Sequence, residues 1–422
     1  MLKTTVQNLL AYLAKKILAK YKPKIIGITG SVGKSSTKEA VFLVVNQKYF
    51  AGKSEKSFNG ELGLPLSIIG IKNDPQKNIF SWIKVVLRAL HLIIYKSKYP
   101  EILVLEYGVD HVGDMDGLLA IAQPNIGVIT NIGVSHYEFF QNSEAIANEK
   151  GKIAQALKND EILIVNADNR SAFEQQSKTK AKVLSYGFVA TSNVKTEITK
   201  EQLQSPFGAS LNITTPSRQF EANINALGQP HYLAVTAAVA VGEALGIETD
   251  LIIKGLQGYK ASPGRLNIIA GIKHSTIIDD TYNASPDSMK QAIDLFKRLQ
   301  APRKIAILGT MRELGGISGK AHQEIGEYIA GAKPDFLVTV GDGGKVLGDT
   351  AIVFGQASES VLHFHTSEEA KKTVQDLIQP DCLVLAKGSQ NTVRLEKIVK
   401  EIMAEPMRAN DLLVRQYGDW LK

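Results

Sequence analysis

Leu2, Val6, Leu9, Leu10, Leu13 and Ile17 recur at helical spacing, while Lys3, Lys15, Lys16 and Lys20 lie off that stripe. The chain therefore opens with a short basic amphipathic helix, ended by Pro23. Such a helix either packs on the domain that follows or lies on a membrane surface. Beyond it the pattern changes to short apolar runs at 24–29, 102–107, 126–131 and 161–166, which read as strands. Helical patterns follow Gly33 and cover about 143–157. This alternation predicts a parallel sheet with helices on both faces. Residues 80–95 form a second amphipathic segment with Lys84 and Arg88 four apart. It reads as a covering helix, with membrane contact as the alternative. From Val183 to Leu227 the period shortens, and 209–215 and 219–224 alternate like small antiparallel strands. A helix over about 231–245 comes next. Gly258-Tyr-Lys-Ala-Ser-Pro-Gly264 is rich in turn formers and reads as a linker. A second alternating series follows, with strands at 276–280, 304–308, 335–340 and 382–386. No internal repeat or low-complexity tract is present.

Composition narrows this picture. The 422 residues are 44% hydrophobic and 22% charged, which is globular composition with room for two or three domains. The single cysteine, Cys382, excludes a disulfide framework and a cysteine zinc site. The start has no uninterrupted apolar core and no small-residue cleavage site, so it does not read as a signal peptide. No stretch reaches the length of a membrane span. A cytoplasmic protein is expected. The formal net charge of +7 suits phosphorylated substrates, nucleic acid or an anionic membrane. No nucleic-acid motif accompanies it, so phosphorylated small molecules are favoured.

The chemistry begins at 24–36, an apolar strand, a Gly-rich turn and a helix start. Backbone N–H groups of such a turn, with the helix dipole, hold phosphate oxygens. Gly30 and Gly33 allow close backbone approach. Lys34 would reach the β and γ phosphates, and the Ser35 hydroxyl would bind magnesium. Ile28 stands where the usual phosphate loop has its first glycine, so this loop is a variant.

Thr29-Gly-Ser-Val-Gly-Lys-Ser-Ser-Thr-Lys-Glu39 resembles the ATP loop of the Mur ligases. Four more segments resemble that family in the same order: Phe58-Asn-Gly-Glu-Leu-Gly-Leu-Pro65, Asn131-Ile-Gly-Val-Ser-His136, Asp279-Asp-Thr-Tyr-Asn-Ala-Ser-Pro-Asp-Ser288, and Leu308-Gly-Thr-Met-Arg-Glu-Leu-Gly315 with His322 beyond. The resemblance covers about residues 24–400 and is nearest to the member that adds D-alanyl-D-alanine to a UDP-N-acetylmuramoyl-tripeptide. It implies an α/β protein: an amphipathic helix over 1–23, a central P-loop-type parallel-sheet ATPase domain over 24–257, and a C-terminal Rossmann-like domain over 263–422. Family members usually carry about a domain's worth of residues before the phosphate loop. Here one helix precedes it, so the pocket for the UDP end of the substrate is expected to be missing or built otherwise.

The resemblance also implies roles. ATP and Mg2+ are the expected cofactors. Thr29, Gly30, Ser31, Val32, Gly33, Lys34, Ser35 and Ser36 would hold the nucleotide phosphates. Glu106, at the end of a strand, would bind magnesium with Ser35. His136 would be a further ligand, unusual because magnesium prefers oxygen. Lys150, in Glu149-Lys-Gly-Lys-Ile153, aligns with a lysine that is carbamylated in these ligases, which would make it an anionic oxygen ligand. Lys152 competes with it for that role. Arg265 would clamp the phosphates as the domains close. Asp280, Tyr282 and Asn283 would line the nucleotide side of the cleft, with Asp279 or Asp280 a turn residue instead. His231 is retained from a family pattern whose two asparagines are replaced by Tyr232 and Val235, so Tyr232 is expected to stack on the base. Thr310 replaces an aspartate of the Met-x-Glu-Leu-Gly motif. Lys387-Gly-Ser389 resembles a turn on the peptide-binding side.

The expected reaction joins D-alanyl-D-alanine to a UDP-muramoyl-tripeptide through an acyl phosphate, with Lys34, His136, Lys150 and Arg265 catalytic. A monomer without nucleic-acid partners is expected. A related amide ligase acting on another acid, of the folate-glutamate or cofactor-amidating kind, is the alternative that the short start favours. A non-catalytic nucleotide-binding scaffold is a third reading, against which the intact Lys34, Glu106, His136, Lys150 and Arg265 argue.

Overall fold

The computed structural model describes residues 2–55, 58–75, 78–134, 137–140, 142–203, 207–390 and 393–421. Its first sheet comprises β1 (Lys24–Thr29), β2 (Ala51–Lys53), β3 (Ile102–Glu106), β4 (Ile126–Ile129), β5 (Ile162–Asn166), β6 (Lys182–Gly187), β7 (Val194–Gln202), β8 (Gly208–Thr214) and β9 (Gln219–Ile224). The spatial order is β2-β3-β1-β4-β5-β6-β7-β8-β9. Pairing is parallel from β2 to β7 and antiparallel from β7 to β9. The change matches composition. β1, β3 and β4 are buried along nearly their whole length, as central parallel strands are, whereas β8 alternates between buried and partly exposed positions.

The second sheet comprises β10 (Asn267–Ala270), β11 (Thr276–Asp280), β12 (Lys304–Gly309), β13 (Phe336–Val340), β14 (Val361–Phe364) and β15 (Leu383–Lys387), in the order β10-β11-β15-β12-β13-β14. Only the β10–β11 pair is antiparallel among the described strands. Three buried apolar clusters fill the molecule. One lies between the first sheet and the helices Lys34–Val45 and Gln229–Ala244 and runs on into the second sheet. The others cover the opposite face of each sheet.

Two topological facts place a site. In the first sheet β1 has β3 on one side and β4 on the other, so the crevice past its C-terminal end opens where the strand order reverses. In the second sheet β11 and β15 run parallel with Asp280 opposite Lys387, both at the C-terminal ends.

The first helix, Leu2–Tyr21, buries Leu10, Leu13, Ala14 and Ile17, while Leu9 is 45% exposed. The apolar stripe is thus narrower than its hydrophobic residues suggest. Of the two readings of this helix, packing on the domain is observed, against the helices Gly63–Ile69 and Ile79–Ile94. Among the described residues no helix is long and apolar enough to cross a membrane. Short edge strands such as β2 and β14 carry too few residues to register as a period and were not legible as strands.

The phosphate-loop helix Lys34–Val45 is held by close backbone contact. A Cβ at Gly255, on the helix Thr249–Gln257, would lie 2.7 Å from Val44 Cα and 2.8 Å from Leu43 O. Gly255→Val should force these helices apart, costing about 1–3 kcal/mol and lowering the thermal midpoint by several degrees. An unchanged melting curve would refute this packing.

Candidate active site

β1 ends in Thr29, whose hydroxyl donates to Tyr107 O (2.9 Å), and the chain then turns sharply. Gly30 has φ +149°, and a Cβ there would sit 2.0 Å from Thr130 Oγ1. Gly33 has φ +89° and begins the helix Lys34–Val45 without a side-chain cap. The turn is pinned to the end of β4: Ser31 N donates to Asn131 O (2.6 Å), Ser31 Oγ to Gly133 O (3.0 Å) and Thr130 Oγ1 to Val32 O (2.6 Å). The uncapped helix start leaves N–H groups and the positive dipole end facing the cleft, which is what an anion needs.

That cleft has a volume of about 410 Å³ and lies between the two sheets. From the first sheet Ser31, Val32, Gly33, Lys34, Ser35, Ser36 and Glu106 line it; from beyond, His231, Arg265, Asp280, Tyr282, Asn283 and Lys387 do. Thr29 and Gly30 shape the turn from behind. Ser35 Oγ donates to Glu106 Oε2 (3.0 Å), and Asn59 Nδ2 reaches Glu106 Oε1 (3.4 Å). Lys34 Nζ donates to Gly30 O (2.7 Å). Burial, and secondarily the Arg265 charge, hold Lys34 below the ordinary lysine range, against the pull of Glu106 and Asp110.

Arg265 crosses from the linker. Its guanidinium donates to Ser35 Oγ (3.2 Å) and lies 4.1 Å from the Tyr282 ring centroid. The two aspartates separate clearly. Asp279 accepts from Gly264 N (2.9 Å) and the Thr281 hydroxyl (2.6 Å), so it is the turn residue. Asp280 accepts from Leu266 N (3.1 Å) and from Lys387 Nζ (2.6 Å), and faces the cleft. Lys387 also donates to Asn283 O (3.0 Å). Arg415, near the chain's end, supports the same turn by donating to Thr281 O (3.1 Å) and Tyr282 O and by pairing with Glu396. Arg415 carries no motif, so sequence reasoning missed it. Asn59 and Asp110 were also missed as cleft residues, although Asn59 lies within a recognised segment.

Lys150, on the helix Ser143–Gln155, is fully buried. Among the described residues its ammonium nitrogen has no hydrogen-bond partner. Burial brings its pKa down to about 7, helped by the Lys34 charge and opposed by Asp110, Glu149 and Asp114. Its competitor Lys152 is instead partly exposed and ion-paired with the exposed Asp116 (2.6 Å) and the buried Glu149 (2.7 Å). His136 lies outside the described residues.

Residues 28–242 match the Mur ligase middle domain and 264–390 the Mur ligase, glutamate ligase domain. The UDP-N-acetylmuramoyl-tripeptide–D-alanyl-D-alanine ligase of Bacillus subtilis is 31% identical over 402 residues, 94% of this chain and 80% of that one. Its Rickettsia prowazekii counterpart is 31% identical over 390 residues, 90% and 78% of the two chains. The chain belongs to the Mur ligase family. Solved structures agree: MurF from Acinetobacter baumannii superposes with a TM-score of 0.78 at 26% identity, covering 95% of this chain and 80% of that one. MurF from Thermotoga maritima in complex with ADP gives 0.77 at 26% identity, covering 94% and 83%.

Against this Mur ligase background the departures in the Gln229–Ala244 helix have a physical account. Tyr232 is fully buried and its hydroxyl donates to Glu201, so it points away from the cleft and does not present a face to a base. The expectation of base stacking by Tyr232 is corrected: an aromatic residue one position from a cleft residue on a helix faces about 100° away. His231 is itself buried, with Nδ1 accepting from Tyr259 OH (2.7 Å) and Nε2 donating to Arg265 O (2.9 Å). Burial drives its pKa to about 4, so it is a neutral fastener that sets the Arg265 backbone. Thr310, in place of the aspartate, accepts from Gly343 N (3.1 Å).

Gly30→Ala should place a methyl group against Thr130 Oγ1 in a strained backbone. Melting in the absence of nucleotide is expected to fall by several degrees, and ADP affinity by at least tenfold at a temperature where the variant is folded; unchanged ADP binding by calorimetry would refute the role given to this turn.

Proposed function

We propose that this chain condenses a UDP-N-acetylmuramoyl-tripeptide with D-alanyl-D-alanine, consuming ATP and releasing ADP and phosphate. One observation carries the reading: the 31% identity over 402 residues with the Bacillus subtilis ligase of that name. The convergence of the phosphate turn, Glu106 and Arg265 on one cleft supports it. For this purpose the chain divides into a helix over 1–23, an ATP-binding region over 24–257 and a C-terminal region over 263–422.

A carboxylate is a poor acyl donor, so its oxygen first attacks the γ-phosphorus while the bond to the ADP oxygen breaks. The amine of D-alanyl-D-alanine then attacks the acyl carbon, phosphate leaves, and the amine loses a proton as the amide forms. Little covalent work falls to the protein; it positions reactants and stabilises charge. The 30–36 turn holds the phosphates by backbone N–H groups, and Lys34 faces their outer oxygens. Arg265, braced by Tyr282 and by the His231 hydrogen bond to its carbonyl, brings a second cation from the other half of the molecule. Asp280, Tyr282 and Asn283 shape the nucleotide side.

The oxygen donors Ser35 and Glu106, 3.0 Å apart beside this turn, fit a magnesium ion. Bound there, the ion would neutralise phosphate charge. His136 and a carbamylated Lys150 complete the proposed ligand set. The buried amine of Lys150, unpartnered among the described residues and with its pKa brought down to about 7, suits that modification, because only the neutral amine adds to carbon dioxide.

Phosphate release should require both the UDP-muramoyl-tripeptide and D-alanyl-D-alanine, and Lys34→Ala should reduce it on the order of 10³-fold or more. Release with another acid but with no muramoyl substrate would overturn the assignment.

Lys150 makes a separate prediction. Protein equilibrated with 13C-bicarbonate should show a carbamate carbon resonance that Lys150→Met lacks. Without bicarbonate, the unfolded chain holds the Lys150 proton up to about 10.5 and the folded chain only to about 7. Between those values the unfolded state binds more protons, so stability rises with pH, and Lys150→Met should flatten that rise. A carbamate signal surviving Lys150→Met would sink the proposal.

A further inference from the structure

The helix Ile79–Ile94 carries a feature that the ligase reading does not use. Its inner side buries Val85, Ala89 and Leu92. Its outer side turns Ile79 (66% exposed), Phe80 (71%), Ile83, Leu87, Leu90 and Ile94 (65%) to solvent. At about 100° per residue these six fall within a single arc of roughly 100°. Lys84, Arg88 and His91 form the next strip around the helix. A scattered exposed leucine needs no explanation, but a continuous apolar face of this kind does. None of these residues lines the cleft.

Charge and length decide what covers it. Between Asp74 and Glu101 the sequence has no acidic residue but has Lys77, Lys84, Arg88, Lys96 and Lys98. The neighbouring helix Leu2–Tyr21 is equally one-sided, since the first acid in the chain is Glu39. The two helices are fastened together: Lys20 Nζ donates to the carbonyls of Leu92 (2.8 Å), Ile93 (3.0 Å) and Tyr95 (2.6 Å). Tyr21 stacks on Tyr99 at 4.5 Å. Lys16, one turn before Lys20 on the same side of its helix, adds to the basic border. The exposed Tyr95 ends the stripe with an aromatic ring bearing a polar tip, as at membrane interfaces. A second copy docked on this face would meet the same basic strip with no acid on either helix to offset it. The 16 residues of the helix give about 24 Å, short of the roughly 30 Å hydrocarbon layer, so it cannot span.

We propose that Ile79–Ile94 is an interfacial membrane-contact helix. Its apolar stripe sits at the level of the acyl chains, and the lysines and arginine beside it engage anionic phospholipid headgroups. The proposal goes beyond the ligase reading and does not depend on it.

Co-sedimentation of the full chain with vesicles tests this, comparing phosphatidylcholine alone with phosphatidylcholine plus phosphatidylglycerol. Binding should be at least tenfold stronger to the anionic vesicles and should weaken as salt rises. The double variant Phe80→Ser, Leu87→Ser should lose binding by tenfold or more, with melting temperature and phosphate release unchanged. Lys84→Glu with Lys96→Glu should erase the preference for phosphatidylglycerol. No binding to either vesicle, equal binding to both, or full binding by the serine variant would overturn the proposal. So would a concentration-dependent dimer in sedimentation velocity that the serine variant abolishes, which would assign the face to a second copy.

Discussion

The approach of the Gly30 backbone to Thr130 fixes the geometry on which the rest of the site depends. β1 and β4 are adjacent parallel strands, with Thr29 opposite Ile129, so the chains leaving them would collide if residue 30 carried a side chain against Thr130. Gly30 removes that side chain, and three hydrogen bonds, two donated by Ser31 and one by Thr130 to Val32 O, then lock the turn against 130–133. Because β3 lies on the other flank with Glu106 opposite Ile28, the same turn that aims the helix dipole also places Ser35 within 3.0 Å of the carboxylate. The exposed helix start and the Ser35–Glu106 pair are two consequences of one crossing, not independently built features.

The second half of the molecule reaches this point through a chain of braces. Register in the second sheet sets Asp280 opposite Lys387, and their 2.6 Å ion pair is buried. An ion pair in such a place stabilises little by itself, but removing either partner leaves an uncompensated charge. Its structural effect is to fix the turn 280–283, from which Tyr282 presents its ring to Arg265. Arg415 clamps that turn from the far side, and His231 holds the Arg265 carbonyl. The guanidinium therefore arrives at Ser35 from two rigid supports.

How much of this was legible depended on whether the determinant was local. The strand–turn–helix around Gly30, Lys34 and Ser35 announces itself, because strand, glycine spacing and helix start are contiguous. The central strands were visible as apolar runs since both faces are buried. Glu106 was placed correctly at a strand end, but its partner Asn59, 47 residues earlier, could not be paired with it from spacing. Tyr232 failed for a different reason. Its aromatic ring suggested stacking, yet the direction of a side chain on a buried helix follows from tertiary packing, and Glu201 claims its hydroxyl. Arg415 left no trace at all, since an arginine near a chain end looks like a solvated cation until the fold brings Thr281, Tyr282 and Glu396 around it.

Burial of its charge beside the cleft accounts for the lowered pKa of Lys150. Lys34 feels Glu106, Arg265 and Asp110, and Lys150 behind it feels Lys34, Asp110, Glu149 and Asp114. Lys34 keeps the hydrogen bond to Gly30 O and two carboxylates within reach. Lys150, fully buried and without a hydrogen-bond partner among the described residues, is the one whose pKa burial brings to about 7. A bare polyphosphate entering the cleft would raise the pKa of Lys150 again and hold it as an ammonium, whereas accompanying divalent charge would offset that pull. The burial that lowers the Lys150 pKa thus makes its protonation state sensitive to the net charge that enters with the nucleotide: a balanced entry leaves it where burial sets it.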